Sequence, residues 1–443
     1  MTGQRNVDAE YDALCRILSE PVVRAAECCA VPHSVDDSLG YKIVHEFAKL
    51  NGTASTVWAE VKGLPFVYPL ERDQWRFVDS ARSYFTARLE ERNDDHLELN
   101  RFLTNHYEQE QRSIPDKDSP RARELEWLVA YHLAPVAPRE CVTRLTAFGE
   151  QSLQASRVAD VKAVLDLFKE QHRWLSAYDL EQTYFEGRYA YSKGEYPTAE
   201  SRFNVVWETA GPNQMKAISS HLLGMIWMSR SAKDGLSRAE QLFRESLQIG
   251  RDLNLKHHIA MVLNSLGSVL VKLGDRKTEE EIEALFQESL QIGRDLNLKH
   301  HIGAVLNSLG SVLAKWGGDA GAKQAEGLFR ESLQIFQDIG DRGGEAKVLN
   351  SLSSLLVRFG DRKSEEEAEA LCRKNLQIVR SIGDRPGEAI LNSLLARLSE
   401  SRGDFSQACE QLEQVISINE ELGITRFADK NIEWLNSLRS KLP

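Results

Sequence analysis

The chain has 443 residues and a formal net charge of -11, because 66 Asp and Glu outnumber 55 Lys and Arg. With 42% hydrophobic residues, 12 Pro and 28 Gly, its composition is that of an ordered protein and excludes a mainly disordered one. The excess of acid argues against a nucleic-acid or anionic-membrane partner that covers the whole surface.

Cysteine usage and the N-terminal residues bear on the compartment. The six cysteines are scattered without a C-x-x-C pair and do not suggest a disulfide framework. The first twenty residues carry acids throughout, unlike a secretory signal, and no run reaches the roughly 18 apolar residues of a membrane span. We therefore expect a cytoplasmic protein that does not enter a membrane.

The sequence pattern of residues 1–112 predicts a small α+β domain, which is called the head below. Helical periodicity comes first, over about 8–20, 37–50 and 53–63, followed by two short strands, Pro65–Tyr68 and Trp75–Phe77. A further helix begins at Asp79, with Asp79 or Ser80 as its expected N-cap. Three helices, a hairpin and a helix form a winged-helix pattern.

A winged helix raises an alternative function, transcriptional control by DNA contact or by sequestering a transcription factor. Residues 1–115 hold 13 Lys and Arg against 19 Asp and Glu, a net charge of -6. DNA-binding domains normally have a basic surface. We therefore expect no nucleic-acid partner and a head that contacts protein.

Residues 113–138 are predicted to be a linker. The stretch RSIPDKDSPRARE from Arg112 combines two prolines, two serines and alternating charge, and LAPVAPRE from Leu133 is a second break. A helical pattern resumes at 139 and is predicted to continue to the end of the chain.

The C-terminal part contains an internal repeat of 43 residues. SLQIGRDLNLKHHI begins at Ser246 and again at Ser289, and LNSLGSVL begins at Leu263 and again at Leu306. Two degenerate copies begin at Phe329 and Ala368, so the clearest repeats cover 236–407. Each copy has two stretches of helical period, and each hairpin can bury its apolar face only against its neighbours, as in a solenoid.

The copies resemble the tetratricopeptide repeat, in the long form found in kinesin light chains and bacterial signalling proteins. The small residue of the first helix is Gly267 or Gly310, and the small-then-aromatic pair of the second helix is Ala325 with Phe329. Upstream, Gly194, Tyr196, Ala199 and Phe203 match the same motif, whereas Ile282, Cys372 and Leu395 depart from it. The resemblance implies a mainly α, right-handed superhelix over 139–443 whose first helices line a concave groove.

Residues 37–112 resemble the winged-helix segment that follows the nucleotide-binding core of STAND signal-transducing ATPases. The chain has no G-x-x-x-x-G-K-[ST] loop, so we expect no ATP bound in that manner and no cofactor. The resemblance implies a setting in bacterial stress or antiviral signalling, in which the chain is a regulator, an adaptor or a protease target.

The candidate site consists of two columns on the first helices. Asparagine can donate to and accept from an extended backbone, and a stripe of cations suits an acidic segment. We therefore predict a peptide-binding groove for an extended, acidic protein partner, formed by Asn264, Lys272, Asn307, Lys315, Asn350, Arg358 and Asn392.

Other constellations are interpreted as structural. The pairs His257–His258 and His300–His301 lack acidic or cysteine partners at metal spacing, and Cys28–Cys29 lie in an apolar stretch without an orienting motif near His33 or His45. No Ser-His-Asp, paired-carboxylate or phosphate-loop pattern is present. We expect no metal, no catalytic residue and no enzymatic activity; the sequence makes no prediction of oligomeric state.

Overall fold

The computed structural model describes residues 2–48, 53–71, 73–230, 232–274, 279–359, 362–422 and 428–442. The chain divides into two compact units, Met1–Arg202 and Phe203–Pro443. Each unit is described by itself below.

The first unit opens with an α+β arrangement. Its elements are α1 (Thr2–Cys15), α2 (Glu20–Cys29), β1 (Val35–Asp36), α3 (Asp37–Glu46), α4 (Ala54–Lys62), β2 (Val67–Pro69), β3 (Gln74–Phe77) and α5 (Asp79–Glu90). The strands form an antiparallel sheet in the order β1-β3-β2, in which Val35 lies opposite Trp75 and Val67 opposite Phe77. The predicted hairpin is therefore confirmed as β2 and β3.

Aromatic rings form the core beneath this sheet. Phe66 and Phe77 both contact Phe85 of α5, with ring centroids 5.3 and 6.3 Å apart, and Phe85 has no exposed surface. Tyr11 of α1 packs edge-on to Phe66 at 5.5 Å. The sheet, α1 and α5 thus share one hydrophobic cluster with α2 to α4.

Two local expectations for this region differ from the structure. The helix expected over 8–20 ends at Cys15, and α2 follows as a separate helix because Pro21 lies in its first turn after Ser19. The N-cap of α5 is Val78, without a side-chain hydrogen bond, so the expected cap at Asp79 or Ser80 is wrong.

Helices continue to the end of the first unit. They are α6 (Asn93–Ser113), α7 (Pro120–Leu133), α8 (Pro138–Gln154), α9 (Val158–Glu170), α10 (His172–Leu175) and α11 (Asp179–Ser192), with a 3₁₀ turn at Ser176–Tyr178. Helix α12 (Tyr196–Thr209) crosses the division between the units.

The segment expected to be a linker, 113–138, contains helix α7. Ser119 accepts a hydrogen bond from the Ala122 amide and Pro120 lies at the first helical position, which is a strong helix start. Leu125 and Val129 are fully buried against the head cluster. The helix is stable because this apolar face is covered, whereas the flanking residues 114–119 and 134–137 are not helical.

The second unit is an array of helical hairpins. Its helices are α13 (Gln214–Ser229), α14 (Lys233–Asp252), α15 (Lys256–Leu273), α16 (Glu279–Asp295), α17 (Lys299–Trp316), α18 (Gly318–Asp338), α19 (Arg342–Phe359), α20 (Arg362–Ile382), α21 (Arg385–Ser401), α22 (Phe405–Glu421) and α23 (Ala428–Arg439). In each hairpin from α13/α14 to α21/α22, the odd-numbered helix is called the first helix and the even-numbered one the second helix.

In three of the hairpins an aromatic ring of the second helix packs on a glycine of the first helix. A Cβ added at Gly267 would lie 2.7 Å from the ring of Phe286, and one at Gly310 would lie 2.7 Å from that of Phe329. Gly224 and Phe243 repeat the arrangement one copy earlier, at 2.5 Å. The small position of the repeat is thus set by the close approach of the two helices.

A second contact, here called the hairpin clamp, fixes the register of the two helices. A side chain of the second helix donates to a carbonyl oxygen of the first helix, 29 residues earlier. The clamps are Ser246 to Ala217 at 2.7 Å, Ser289 to Ala260 at 2.8 Å, Ser332 to Gly303 at 2.6 Å and Asn375 to Ala346 at 2.9 Å. The donors recur every 43 residues, so the repeat in the sequence is a repeat of one buried hydrogen bond.

Candidate functional site

The three predicted cations lie on the first helices and are exposed. The Lys315 ammonium donates to the Val271 carbonyl oxygen at 2.9 Å and lies 4.8 Å from the ring centre of Trp316, while Arg358 lies 4.7 Å from that of Phe359. Among the residues that the structure describes, no carboxylate lies within 4 Å of Lys272, Lys315 or Arg358.

Arginines of the second helices behave differently. Four of them pair with a glutamate of the next second helix, 37 residues along the chain, at distances between 2.8 and 3.5 Å. The pairs are Arg244–Glu281, Arg251–Glu288, Arg294–Glu331 and Arg330–Glu367. Lys272, Lys315 and Arg358 of the first helices therefore keep hydrogen-bonding capacity that no described carboxylate uses, whereas four arginines of the second helices are paired with carboxylates.

Two cavities in the second unit gather part of the predicted site. The smaller, of 340 Å³, is lined by Lys315, Asn350 and Arg358. The larger, of 960 Å³, shares Arg358, Ser354 and Ile390 with it, so the two form one surface, called the groove below. Asn264 and Lys272 lie on α15 and do not line either cavity.

The larger cavity adds residues that the sequence analysis missed. Arg397 and Lys430 join Arg358 as cations, and Ile390 and Trp434 provide apolar surface. Ile390 is 49% exposed and lines both cavities, so it contributes apolar surface to the groove. Its position is 43 residues beyond Lys347, so a comparison of the copies position by position could have singled it out.

The asparagine column is not uniform. Asn264 and Asn307 are partly buried, and each has a buried side-chain oxygen without a hydrogen-bond partner among the described residues. The oxygen of Asn350 instead accepts from Asn375 at 2.9 Å, so this side chain is tied to the hairpin clamp. Asn264 and Asn307 thus keep a buried amide oxygen without a described partner, whereas Asn350 does not.

Asn392 does not lie in the column, contrary to prediction. Helix α21 begins 43 residues after α19, but its LNSL segment begins only 42 residues after that of α19. One missing residue in a continuous helix turns the segment by about 100°. Asn392 therefore takes the buried place of Leu349 and is only 2% exposed, and Ser393 takes the place of Asn350.

The same shift changes the small position of this hairpin. The expectation placed Leu395 there, but Ala396 lies 43 residues after Ser353 and is fully buried among Ala408, Cys409 and Leu412. The repeat motif is therefore better preserved in the structure than the sequence alignment indicates.

The histidine pairs contact neighbouring helices. The Nε2 atoms of His258 and His301 lie 2.8 and 2.9 Å from the clamp hydroxyls of Ser246 and Ser289. Burial lowers the pKa of His301 to about 4, so this ring is neutral near pH 7. Within the described ranges, no cluster of three or more His, Cys, Asp or Glu side chains could hold a metal ion.

The adjacent cysteines are fully buried. Burial raises the pKa of Cys28 to about 12 and that of Cys29 well above its usual range, which keeps both as thiols. A nucleophilic cysteine requires the thiolate. These two positions are therefore packing residues of α2.

Comparison with known proteins identifies the fold. No family model matches the chain, and no curated protein matches it. A STAND protein with a tetratricopeptide repeat sensor from Pyrococcus horikoshii superposes with a TM-score of 0.54 at 13% identity, covering 97% of this chain. The chain spans only 64% of that protein's length. The fold is a mainly α, tetratricopeptide-like solenoid.

Two further solved structures superpose with lower scores. A Rap protein complexed with competence and sporulation factor has a TM-score of 0.48 and 15% identity, covering 78% of this chain and 98% of its own. The apo quorum sensor NprR from B. thuringiensis has a TM-score of 0.46 and 13% identity, covering 79% of this chain and 99% of its own.

None of the described helices is long and apolar enough to cross a membrane.

Proposed function

We propose that this chain is a non-enzymatic interaction protein whose first-helix groove binds an extended, acidic segment of a partner protein. The observation that carries the proposal is the set of cations without carboxylate partners among the described residues: Lys315, Arg358, Arg397 and Lys430 around the two cavities. Lys272 extends the same column toward α15.

The chemistry of the groove favours a peptide with acidic residues. Exposed cations attract carboxylates and speed encounter, and serine hydroxyls and asparagine amides suit a peptide backbone. Ile390 and Trp434 form an apolar surface in the same cavity as Arg358 and Arg397. A segment that alternates acidic and large apolar side chains would match both surfaces.

We further propose a division into a winged-helix-like head over 1–112, a connecting segment over 113–138 and a repeat array over 139–443. The order of α2 to α4 before the β2–β3 hairpin, and the three-stranded antiparallel sheet, support the winged-helix assignment. The similarity to a STAND protein with a repeat sensor supports a regulatory role, which in a bacterium would be stress or antiviral signalling.

Direct binding of a short glutamate-rich peptide, labelled with a fluorophore, tests the groove. We expect saturable binding to the full chain that weakens as salt is raised, and no binding of a lysine-rich peptide. Replacing Lys315 and Arg358 together by glutamate should weaken binding about 10-fold or more, because two attractions become repulsions.

The matched control reverses two charges on the second helices. Arg251→Glu with Arg330→Glu changes the net charge by the same amount but lies outside the groove, where both arginines already have glutamate partners. If the control variant loses as much peptide binding as the groove variant, attraction is a general charge effect and the proposal is wrong. Circular dichroism of both variants checks that their helical content is retained.

A further inference from the structure

A second cavity, in the first unit, is unrelated to the groove. It has a volume of 700 Å³, within the range of about 300–1,000 Å³ typical of small-molecule sites. One face of α5, including Arg82, forms one wall, and Trp127 and Tyr131 of α7 form another. Residues of α9, including Glu170, and the segment after α2 that holds His33 complete the lining.

The acids that line this cavity already have partners. Asp79 pairs with Arg76 at 3.2 Å, Asp166 with Lys162 at 2.7 Å, Glu170 with His33 at 3.7 Å, and Glu90 with Arg173. The hydrogen bond with His33, and Arg82 at longer range, hold the pKa of Glu170 below its usual value. Asp79, Asp166 and Glu90 are therefore directed to other cations, and Glu170 is hydrogen-bonded to the His33 imidazole.

Arg82 has no such partner. Its Nη2 donates to the Tyr131 hydroxyl at 2.7 Å, approaches His33 Nδ1 at 3.3 Å and lies 3.5 Å from the Val31 carbonyl oxygen. All three are neutral, because burial lowers the pKa of His33 and raises that of Tyr131. Among the described residues no carboxylate lies within 4 Å of this guanidinium, although a partly buried charge is stable only when it is compensated.

Unsatisfied polar atoms are also concentrated here. The Nε atoms of Arg76 and Arg82 and the Nδ1 atom of His96 are buried without a hydrogen-bond partner among the described residues, and all three residues line the cavity. Both arginine atoms are donors and require an acceptor. A ligand with negatively charged oxygens would satisfy them and compensate Arg82.

The remaining wall is aromatic. Trp127 and Tyr131 stack with centroids 5.3 Å apart, and His33 stands edge-on to both at 4.6 and 4.5 Å. The Trp127 indole is fixed by a hydrogen bond to the Ala163 carbonyl oxygen at 3.3 Å. A rigid aromatic wall next to a cation offers an apolar contact for the body of an anionic ligand.

We propose that this cavity binds a small organic anion, with a phosphate or carboxylate group at Arg82 and Arg76 and a planar apolar body against Trp127 and Tyr131. The site is independent of the groove, since every residue that lines it belongs to the first unit. Phosphate and carboxylate share the chemistry that the arginines recognise, so the probes must distinguish them.

Isothermal titration of the full chain with phenyl phosphate, benzoate and inorganic phosphate tests the proposal. We expect one saturable site for phenyl phosphate or benzoate, and the tighter of the two identifies the charged group. Inorganic phosphate should bind at least several-fold more weakly than phenyl phosphate, because it lacks the ring. Absence of saturable binding of both aromatic anions would overturn the proposal.

Variants separate the site from non-specific attraction. Arg82→Gln and, independently, Arg76→Gln should each weaken binding of the aromatic anion about 10-fold, whereas Arg112→Gln, an exposed arginine paired with Glu108, should leave it unchanged. If Arg82→Gln does not fold, judged by circular dichroism, the Arg76→Gln variant decides. Unchanged binding in the folded variants contradicts the assignment.

Discussion

The ring of Phe336 fills the space that a side chain at Gly344 would occupy: an added Cβ there would lie 2.2 Å from Phe336 Cδ1. In the two preceding copies the sizes are reversed, with Gly250 facing His258 and Gly293 facing His301. Residues 293 and 336, like 301 and 344, are 43 apart. The contact between successive hairpins thus keeps one large and one small partner, whichever helix supplies each.

This relationship predicts that Gly344→Ala destabilises the second unit. The new methyl group overlaps a buried ring, which typically costs about 1–3 kcal/mol. Urea unfolding followed by circular dichroism measures the shift in midpoint. Gly327→Ala is the control, because a Cβ at Gly327 meets nothing within 4 Å and alanine favours a helix by about 0.5–1 kcal/mol. A loss of similar size at both positions would contradict the packing argument.

The hairpin clamp predicts a loss of stability for Ser289→Ala. Its hydroxyl is fully buried, donates to Ala260 and lies next to His301, so removal leaves two polar groups without their partner. We expect a loss of about 1–3 kcal/mol in the free energy of unfolding. Ser354→Ala, an exposed hydroxyl bonded within its own helix, should change stability by less than about 0.5 kcal/mol. Equal effects of the two substitutions would show that the clamp contributes little.

The buried imidazole of His301 predicts a dependence of stability on pH. Its folded pKa of about 4 lies below the ordinary value of 6.5, so between these values the unfolded chain binds the extra proton. Stability must then decline as pH falls from 6.5 to 4, and this contribution ceases to change below that window. Urea midpoints across the window should fall less steeply for His301→Gln than for the wild type. His45→Gln, at an exposed histidine of the first unit, should retain the wild-type slope.

The displaced asparagine predicts opposite effects at two matched positions. Asn392 is buried and its amide nitrogen has no partner among the described residues, so Asn392→Leu should stabilise the second unit by about 1–3 kcal/mol. Asn350→Leu removes the hydrogen bond with Asn375 and should destabilise it. Thermal unfolding compares the two. Stabilisation by both or by neither would contradict the rotated register of α21.

The sequence was sufficient for the solenoid but not for every residue on it. The fold requires a close contact between a glycine and an aromatic ring, as in Gly267 with Phe286 and Gly310 with Phe329. These residues are therefore kept in the repeats, and aligning the repeats by residue identity locates them. The positions of Asn392 and Leu395 were predicted wrongly because residue identity was aligned across a one-residue deletion. In a continuous helix such a deletion rotates the following side chains to another face. Helix α7 was missed although Ser119 and Pro120 are a recognisable helix start.

The cavity of the first unit, and the part of the groove that α23 contributes, could not be predicted from the sequence for a different reason. Arg82 is 49 residues from both His33 and Tyr131 in the chain. Only the tertiary packing shows that its guanidinium lacks a carboxylate partner among the described residues. Likewise Arg358 of α19 and Trp434 of α23 line one cavity although three helices lie between them in the chain. A repeat pattern specifies what each copy shares, whereas a site depends on where the copies differ.

The rotated segment of α21 gives the two ends of the groove different chemistry. Where α19 presents Lys347, Asn350 and Ser354, α21 presents Ile390, Ser393 and Arg397 at the corresponding positions. In a uniform array every repeat along the groove would present the same side chains. Here the repeats differ, so an extended peptide bound in the groove would be fixed in one register, with an apolar side chain near Ile390 of α21 and Trp434 of α23.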